Sequence, residues 1–221
     1  MSTPRPRFAT VVFDVDSTLA DIEGIDWLAQ QRDETIAREC ADLTARAMAG
    51  EIPIDAVYVR RLQAIAPTAT ELDALGDAYR RAIVPGAAAL IASLQQAGVI
   101  VHLVSGGLRA AILPLAIDCG ILPAHVHAVD VRVDDQATYT QLDGPQPLAT
   151  QAGKAMVLAA LQVPRPSVII GDGATDAAAR PSVDAFIAYT GVARRDAVVA
   201  AADAEAPDYT VLRSLLFESV D

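Results

Sequence analysis

The spacing of apolar positions changes along the chain, and each change marks an element. Five of the six residues from Phe8 to Phe13 are apolar, and "TVVFDVDSTLA", Thr10 to Ala20, reads as a buried strand that breaks into polar residues at Asp14. From about Gly24 to Val84 no strand pattern occurs. Helical stretches follow one another there: "GIDWLAQQRDETIARECADLTARAMAG", "DAVYVRRLQAIA" and "ATELDALGDAYRRAIV", the last with Thr70 and Asp73 spaced as a capping box. Beyond Val84 strand and helix alternate. "PGAAALIASLQQAG" is a helix opened by Pro-Gly and closed by Gly98, "VIVHLVSGG" is a buried strand, and "LRAAILPLAIDCG" is a helix that Pro114 should kink or split. "AVDVRVDDQATYTQLDG" has the pattern of a β-hairpin and "QAGKAMVLAALQ" that of a helix. "SVIIG" and "AFIAYTG" read as strands, with "APDYTVL" a short last one. Such alternation predicts an α/β fold, a parallel sheet with helices on both faces. The chain then divides into a core, residues 1–20 and 85–221, and a small helical insertion after the first strand, residues 21–84.

Composition narrows the partners. The 221 residues are 52% hydrophobic and 20% charged, a globular balance, and the net charge of −11 argues against nucleic acid or an anionic membrane as a partner. The start "MSTPRPRFAT" shows no apolar leader segment, and no run approaches the roughly 18 apolar residues of a membrane span. Cys40 and Cys119 have no metal-binding spacing and read as free buried thiols, so a cytoplasmic protein is expected. The chain carries 16 arginines and a single lysine, Lys154. A lone lysine in so arginine-rich a chain is a candidate for a task that needs a compact point charge.

In open parallel sheets, ligands bind beyond the carboxyl ends of the strands. Those ends carry Asp14, Asp16, Ser17 and Thr18; Ser105, Gly106 and Gly107; and Asp172, Gly173, Thr175 and Asp176, while Lys154 heads the helix before the last group. Residues two apart on a strand point the same way, so Asp14 and Asp16 would repel unless a cation or hydrogen bonds hold them ionised. Clustered carboxylates without His or Cys suit Mg²⁺. A hydroxyl and permissive glycines before a helix can hold a phosphate, and Lys154 adds a point charge for it. A carboxylate nucleophile, positioning and charge neutralisation are the means by which phosphomonoesters are cleaved.

Other readings of single motifs fit less well. "GDGATD" lacks the third glycine of a dinucleotide loop, and an Asp-x-Asp of a sugar transferase would need a nucleotide-binding unit upstream, for which thirteen residues leave no room. A phospho-accepting receiver domain would place its aspartate at the end of a later strand, yet Asp55 falls in the helical block. His125 and His127 read as structural rather than metal-binding, and Trp27 as packing within the insertion, with Met48 balanced between packing and substrate contact.

Taken in order, "DVDSTL", "EGID", "TARAMAGEIP", "RRLQAIAP", "SGGLR", "GK" and "GDGATD" resemble the haloacid dehalogenase superfamily of phosphatases, most closely the branch that acts on phosphoserine. The resemblance runs from about Phe8 to Val211 and includes the insertion, where substrate choice resides. It implies a three-layer Rossmann-like core with a helical cap, and Mg²⁺-dependent hydrolysis of phosphoserine in L-serine biosynthesis. It implies Asp14 as a nucleophile that becomes an aspartyl phosphate, and Asp16 as the acid and then the base. Ser105, Gly106 and Lys154 are implied as phosphate ligands. The metal group it implies is Asp14, the Val15 carbonyl, Asp16 and Asp172, with Asp176 behind them. Glu23 would bind the substrate ammonium, Arg61 its carboxylate, and Met48 would line the pocket. The chain departs from the usual pattern at Ile54 (Phe), Ala49 (Gly), Leu108 (Phe) and Ala178 (Glu), of which Ile54 and Ala49 bear on pocket shape. The alternatives are the same chemistry on another small phosphomonoester, phosphoryl transfer to an alcohol, or a binding protein that lost turnover. The resemblance leaves room for a homodimer.

Overall fold

The computed structural model describes residues 5–48, 51–52 and 54–218, with Met48, Ile54 and Ala56 described by their backbone. Strand β1 (Thr10–Phe13) is buried along its whole length. It is followed by four helices, α1 (Gly24–Ala29), α2 (Glu34–Met48), α3 (Ile54–Ile65) and α4 (Ala69–Arg81). The chain then runs α5 (Ala87–Gln96), β2 (Ile100–Leu108), α6 (Arg109–Asp118), β3 (Val126–Val129), β4 (Val131–Val133), β5 (Tyr139–Leu142) and α7 (Gly153–Leu161). It closes with β6 (Ser167–Gly171), α8 (Ala174–Ala179), β7 (Ala185–Tyr189), α9 (Asp196–Ala201), β8 (Ala204–Ala206) and α10 (Tyr209–Leu216).

Six strands form a parallel sheet in the order β3-β2-β1-β6-β7-β8, and β4 pairs with β5 as a separate antiparallel hairpin. From β1 the chain steps outward through β2 to β3, then crosses to β6 and steps outward on the other side. With right-handed crossovers, that reversal puts helices on both faces and opens a crevice at the carboxyl ends beside β1. This is the three-layer Rossmann-like architecture. Its core is the run of fully buried apolar positions on β1, β2 and β6, among them Phe13, Leu103, Ile169 and Ile170. Register matters most here. Phe13 is opposite both Leu103 and Ile170, so the residues that follow these, Val104–Ser105 and Gly171–Asp172, stand at the same height as Asp14 and Val15.

The helices of the insertion hang from a narrow neck. The Asp21 N–H donates to the Ala82 carbonyl at 2.8 Å and the Val84 N–H to the Leu19 carbonyl at 2.9 Å, tying the outgoing chain to the returning one. Above the neck α4 lies along α6, and the β4–β5 hairpin touches the insertion where the Ala69 N–H meets the Ala137 carbonyl at 2.7 Å.

Four local expectations change. The helical stretch from Gly24 splits, because the Asp33 carboxylate takes the N–H groups of Thr35 (2.9 Å) and Ile36 (3.1 Å) and starts α2 anew. The capping box of α4 is Thr68 with Glu71, two residues before the expected Thr70 and Asp73; Arg32 holds the same Glu71 through two bonds of 2.6 and 2.9 Å and so selects it. Pro114 does not split α6, since packing on α4 carries the helix through it, with Gly76 leaving room for the proline ring. The last strand is Ala204–Ala206, while "DYTVL" becomes α10. There Asp208 caps the N–H groups of Thr210 and Val211 at 2.8 Å each, and burial of Tyr209, Leu212 and Leu216 outweighs the β-branched residues.

Leu103 is fully buried at the centre of this register. Leu103→Ala is expected to destabilise the fold by about 2–5 kcal/mol, read as a lower urea midpoint with an unchanged slope.

Candidate active site

The site begins where β1 stops. The Asp14 N–H makes the last ladder bond, to the Ile170 carbonyl at 2.9 Å, and its carboxylate takes the Val15 N–H at 2.8 Å. The chain then turns through Ser17, whose φ of 51° is left-handed. In that turn the Val15 carbonyl accepts the N–H groups of Leu19 (2.9 Å) and Ala20 (3.0 Å). The Val15 carbonyl is thus engaged by backbone N–H groups of the turn, while the carboxylates beside it stay free to take a cation. The Asp16 carboxylate accepts the Gly24 N–H at 3.0 Å and the Tyr79 hydroxyl at 2.6 Å. Only glycine permits this approach, because a Cβ at Gly24 would lie 2.1 Å from the Tyr79 oxygen.

The neighbouring strand ends add the rest. Ser105 is buried and its hydroxyl accepts the Gly107 N–H at 2.9 Å. Lys154 is the second residue of α7 and 4% exposed, and its ammonium lies 2.7 Å from both Asp14 and Asp176. It reaches that point because α7 starts against the backbone of Pro147, where a Cβ on Gly153 would come within 1.9 Å of a carbonyl oxygen. Asp176 accepts the Gly173 N–H at 3.1 Å with its second oxygen. Asp172 receives the Thr18 hydroxyl at 3.3 Å and is paired with Arg195, which also donates to the Asp172 carbonyl at 3.1 Å.

Asp14, Asp172 and Asp176 each offer an oxygen within 4.8 Å of the others, and all three are buried. An all-oxygen, all-anionic donor set that already draws an ammonium and a guanidinium fits a hard divalent cation. Asp16, committed to Gly24 and Tyr79, is not one of the three. Crowding shows in the acidities. Burial, then the charge of Asp14, pushes Asp16 up to about 7 and Asp172 up to about 6. Burial and then Asp16 raise Glu23 to about 8. Burial alone would lower Lys154, yet Asp14 and Asp176 carry it above its ordinary value and keep it charged.

The insertion closes the opposite side. Asp14, Asp16, Glu23, Gly106, Arg61 and Lys154 line one cavity, joined by Ile25, Thr44, Tyr58, Leu148, Thr150 and Thr175. Glu23 accepts the Ser17 hydroxyl at 2.7 Å. Arg61 is 5% exposed; its terminal nitrogen binds Asp26 at 3.0 Å, while its buried Nε has no partner among the described residues. Asp26 is itself fixed by the Thr44 hydroxyl at 2.7 Å. Ser105, Asp172 and Asp176 are not among the lining residues, and Asp176 is joined to the cavity through Lys154, which lines it. Ala49 and the side chains of Met48 and Ile54 lie outside the described residues. His125 and His127 gather around His102, with the His102 and His127 rings 3.1 Å apart at their nitrogens, away from this cavity. Trp27 packs against the core.

Sequence reasoning missed Arg195, Tyr79, Asp26 and Tyr58. Arg195 follows the carboxyl end of β7, so the strand-end rule reaches it if applied to one more strand. The others sit inside helices with no local signal.

Comparison with known proteins agrees with this geometry. The family model of haloacid dehalogenase-like hydrolases matches residues 11–180. The chain belongs to that family. Among members of the haloacid dehalogenase family, the phosphoserine phosphatase of Bos taurus is 33% identical over 211 residues, spanning 94% of this chain and 93% of the bovine one. That of Homo sapiens is 35% identical over 184 residues, spanning 82% and 81%. A crystal structure of a phosphoserine phosphohydrolase-like protein from Francisella tularensis has the same fold, with a TM-score of 0.86 at 24% identity over 93% of this chain and 98% of that one.

The raised acidities set a pH dependence. The folded chain retains protons on Asp16, Glu23 and Asp172 that the unfolded chain has released, so stability without a divalent cation should fall as pH rises from about 4 to about 8. A divalent cation relieves the repulsion, and its stabilising effect should grow over the same range. Thermal unfolding in chelator and in a divalent salt, from about pH 5 to about pH 8, should show the two curves separating. A constant gap would mean that cation binding and the titration of these carboxylates are independent.

Proposed function

We propose that this hydrolase cleaves O-phosphoserine to serine and phosphate through an aspartyl phosphate on Asp14, with residues 21–84 as a cap over the core of 1–20 and 85–221. The observation that carries the reading is that one cavity is lined by two sets of groups: Asp14 and Lys154, and Glu23 with Arg61, whose buried Nε has no partner among the described residues. Phosphoserine has a phosphate for the first set, and a carboxylate and an ammonium for the second. The names of the bovine and human relatives support the same substrate.

In this reading Mg²⁺ is held by Asp14, Asp172 and Asp176 and supplies, when bound, charge neutralisation for the phosphoryl oxygens. The residues of the chain do the rest. Lys154, the Gly106 backbone and Ser105 hold the phosphate, and Lys154 keeps the Asp14 carboxylate oriented. An Asp14 oxygen attacks phosphorus while the bond to the serine oxygen breaks, and Asp16 donates its proton to that oxygen. A carboxyl held near 7 is suited to this and then to accepting a proton from the water that attacks the phosphorus of the acyl phosphate, as the bond to the Asp14 oxygen breaks and the Asp14 carboxylate leaves. Arg61, braced by Asp26, binds the substrate carboxylate. Glu23, raised by burial, returns to its ionised form beside an ammonium. Every residue used comes from one chain. Among the described residues no helix is long and apolar enough to cross a membrane, and Cys40 and Cys119 are buried and free, which supports a reduced, cytoplasmic setting.

Phosphate release over a panel of phosphomonoesters, with and without Mg²⁺, tests this. Phosphoserine should be preferred over phosphoethanolamine, which offers no carboxylate to the buried Nε of Arg61. Arg61→Ala should lower kcat/KM for phosphoserine by about 10- to 100-fold and barely change phosphoethanolamine, so that the two converge. Asp14→Asn should abolish release from every substrate. Equal turnover of the two esters by the wild type would remove serine from the reading and leave a phosphatase.

A further inference from the structure

Helix α3 carries more than Arg61. Asp55, Tyr58 and Arg61 are spaced three apart and so lie along one side of the helix. Arg61 binds within the insertion, to Asp26, but the other two reach the core. The Tyr58 hydroxyl donates to the Gly106 carbonyl at 2.6 Å, and the Asp55 carboxylate accepts the Gln151 N–H at 2.5 Å. Gly106 directly follows Ser105, and Gln151 precedes Lys154 by three residues. Both bonds from the insertion therefore end on backbone groups of the two segments that, in the reading above, hold the phosphate. Tyr58 is 3% exposed, and its ring forms part of the cavity wall together with Thr44 and Arg61. Any movement of α3 off the core breaks both bonds.

We propose that Tyr58 and Asp55 are positioning residues that latch α3 onto the phosphate-binding segments, so that Arg61 meets the substrate only when the latch is made. The latch deepens the proposed function and rests on it for the identity of the substrate. Its two bonds differ in kind. Tyr58–Gly106 is neutral and buried, hence insensitive to salt. Asp55–Gln151 is charged and exposed, hence weakened by salt. Each net hydrogen bond corresponds to roughly a fivefold change in the ratio of closed to open forms.

The latch is read without substrate by hydrogen exchange. In Tyr58→Phe, which keeps the ring, and in Asp55→Ala, the amides of α3 should exchange about fivefold faster, and in the double variant faster again, while those of β1 are unchanged. Kinetics supplies the second readout. Tyr58→Phe should raise KM for phosphoserine by about 2- to 10-fold, with kcat unchanged or higher because opening releases product. Turnover of p-nitrophenyl phosphate, which has neither carboxylate nor ammonium, should rise relative to phosphoserine. Unchanged α3 exchange in Tyr58→Phe overturns the proposal, and so does an equal fall of kcat on both substrates. If the wild type fails to cleave phosphoserine, the substrate reading falls, and the exchange comparison alone decides the latch.

Discussion

Three buried carboxylates from two adjacent segments, Asp14 at the end of β1 and Asp172 and Asp176 after β6, converge to within 4.8 Å. At an effective dielectric of 20 each pair repels by on the order of 3 kcal/mol. Parallel pairing is what brings them there: strands in register end at one height, so the residues that follow must share one volume. The surroundings answer that repulsion. Lys154 is wedged between two of the carboxylates, Arg195 covers the third, and Gly153 lets α7 start close enough to the Pro147 backbone for Lys154 to reach. Removing any of these cations leaves a buried charge uncompensated, which is why the site and the stability of the fold cannot be separated.

The insertion answers a different need. A sheet edge alone is open to water, and electrostatic contacts are strong only where water is excluded. The neck at Leu19–Val84 holds α1 to α4 above the strand ends, and it brings a second set of polar groups, Glu23, Asp26 and Arg61, to face the first. The same arrangement accounts for Asp16. Its carboxylate is bound by Tyr79 from α4 and by the Gly24 N–H at the start of α1, so its acidity depends on the insertion being in place.

The mistaken expectations share a cause. Thr70–Asp73 and Thr68–Glu71 are equally good capping pairs by spacing; Arg32, distant in sequence, binds Glu71 and selects the second. "DYTVL" has strand-like residues, yet Asp208 caps it and its apolar face is buried as a helix. Arg32 is 39 residues from Glu71, and the apolar face of α10 is buried against the rest of the fold, so in both the deciding contact is tertiary.

From the sequence by itself came what periodicity and strand-end chemistry encode: the α/β alternation, the helical insertion after the first strand, the polar residues Asp14, Asp16, Ser105 and Asp172 at the carboxyl ends of parallel strands, and Lys154 at the head of a helix. Those properties are local, since a strand's period and the residue after it are read within a few positions. What only the tertiary structure decided is which of these groups meet and what they meet: Lys154 between Asp14 and Asp176, Arg195 on Asp172, Tyr79 on Asp16, and α3 bonded to Gly106 and Gln151. Sequence spacing carries no distance across a crossover, so pairings between elements dozens of residues apart are set by sheet register and helix packing alone.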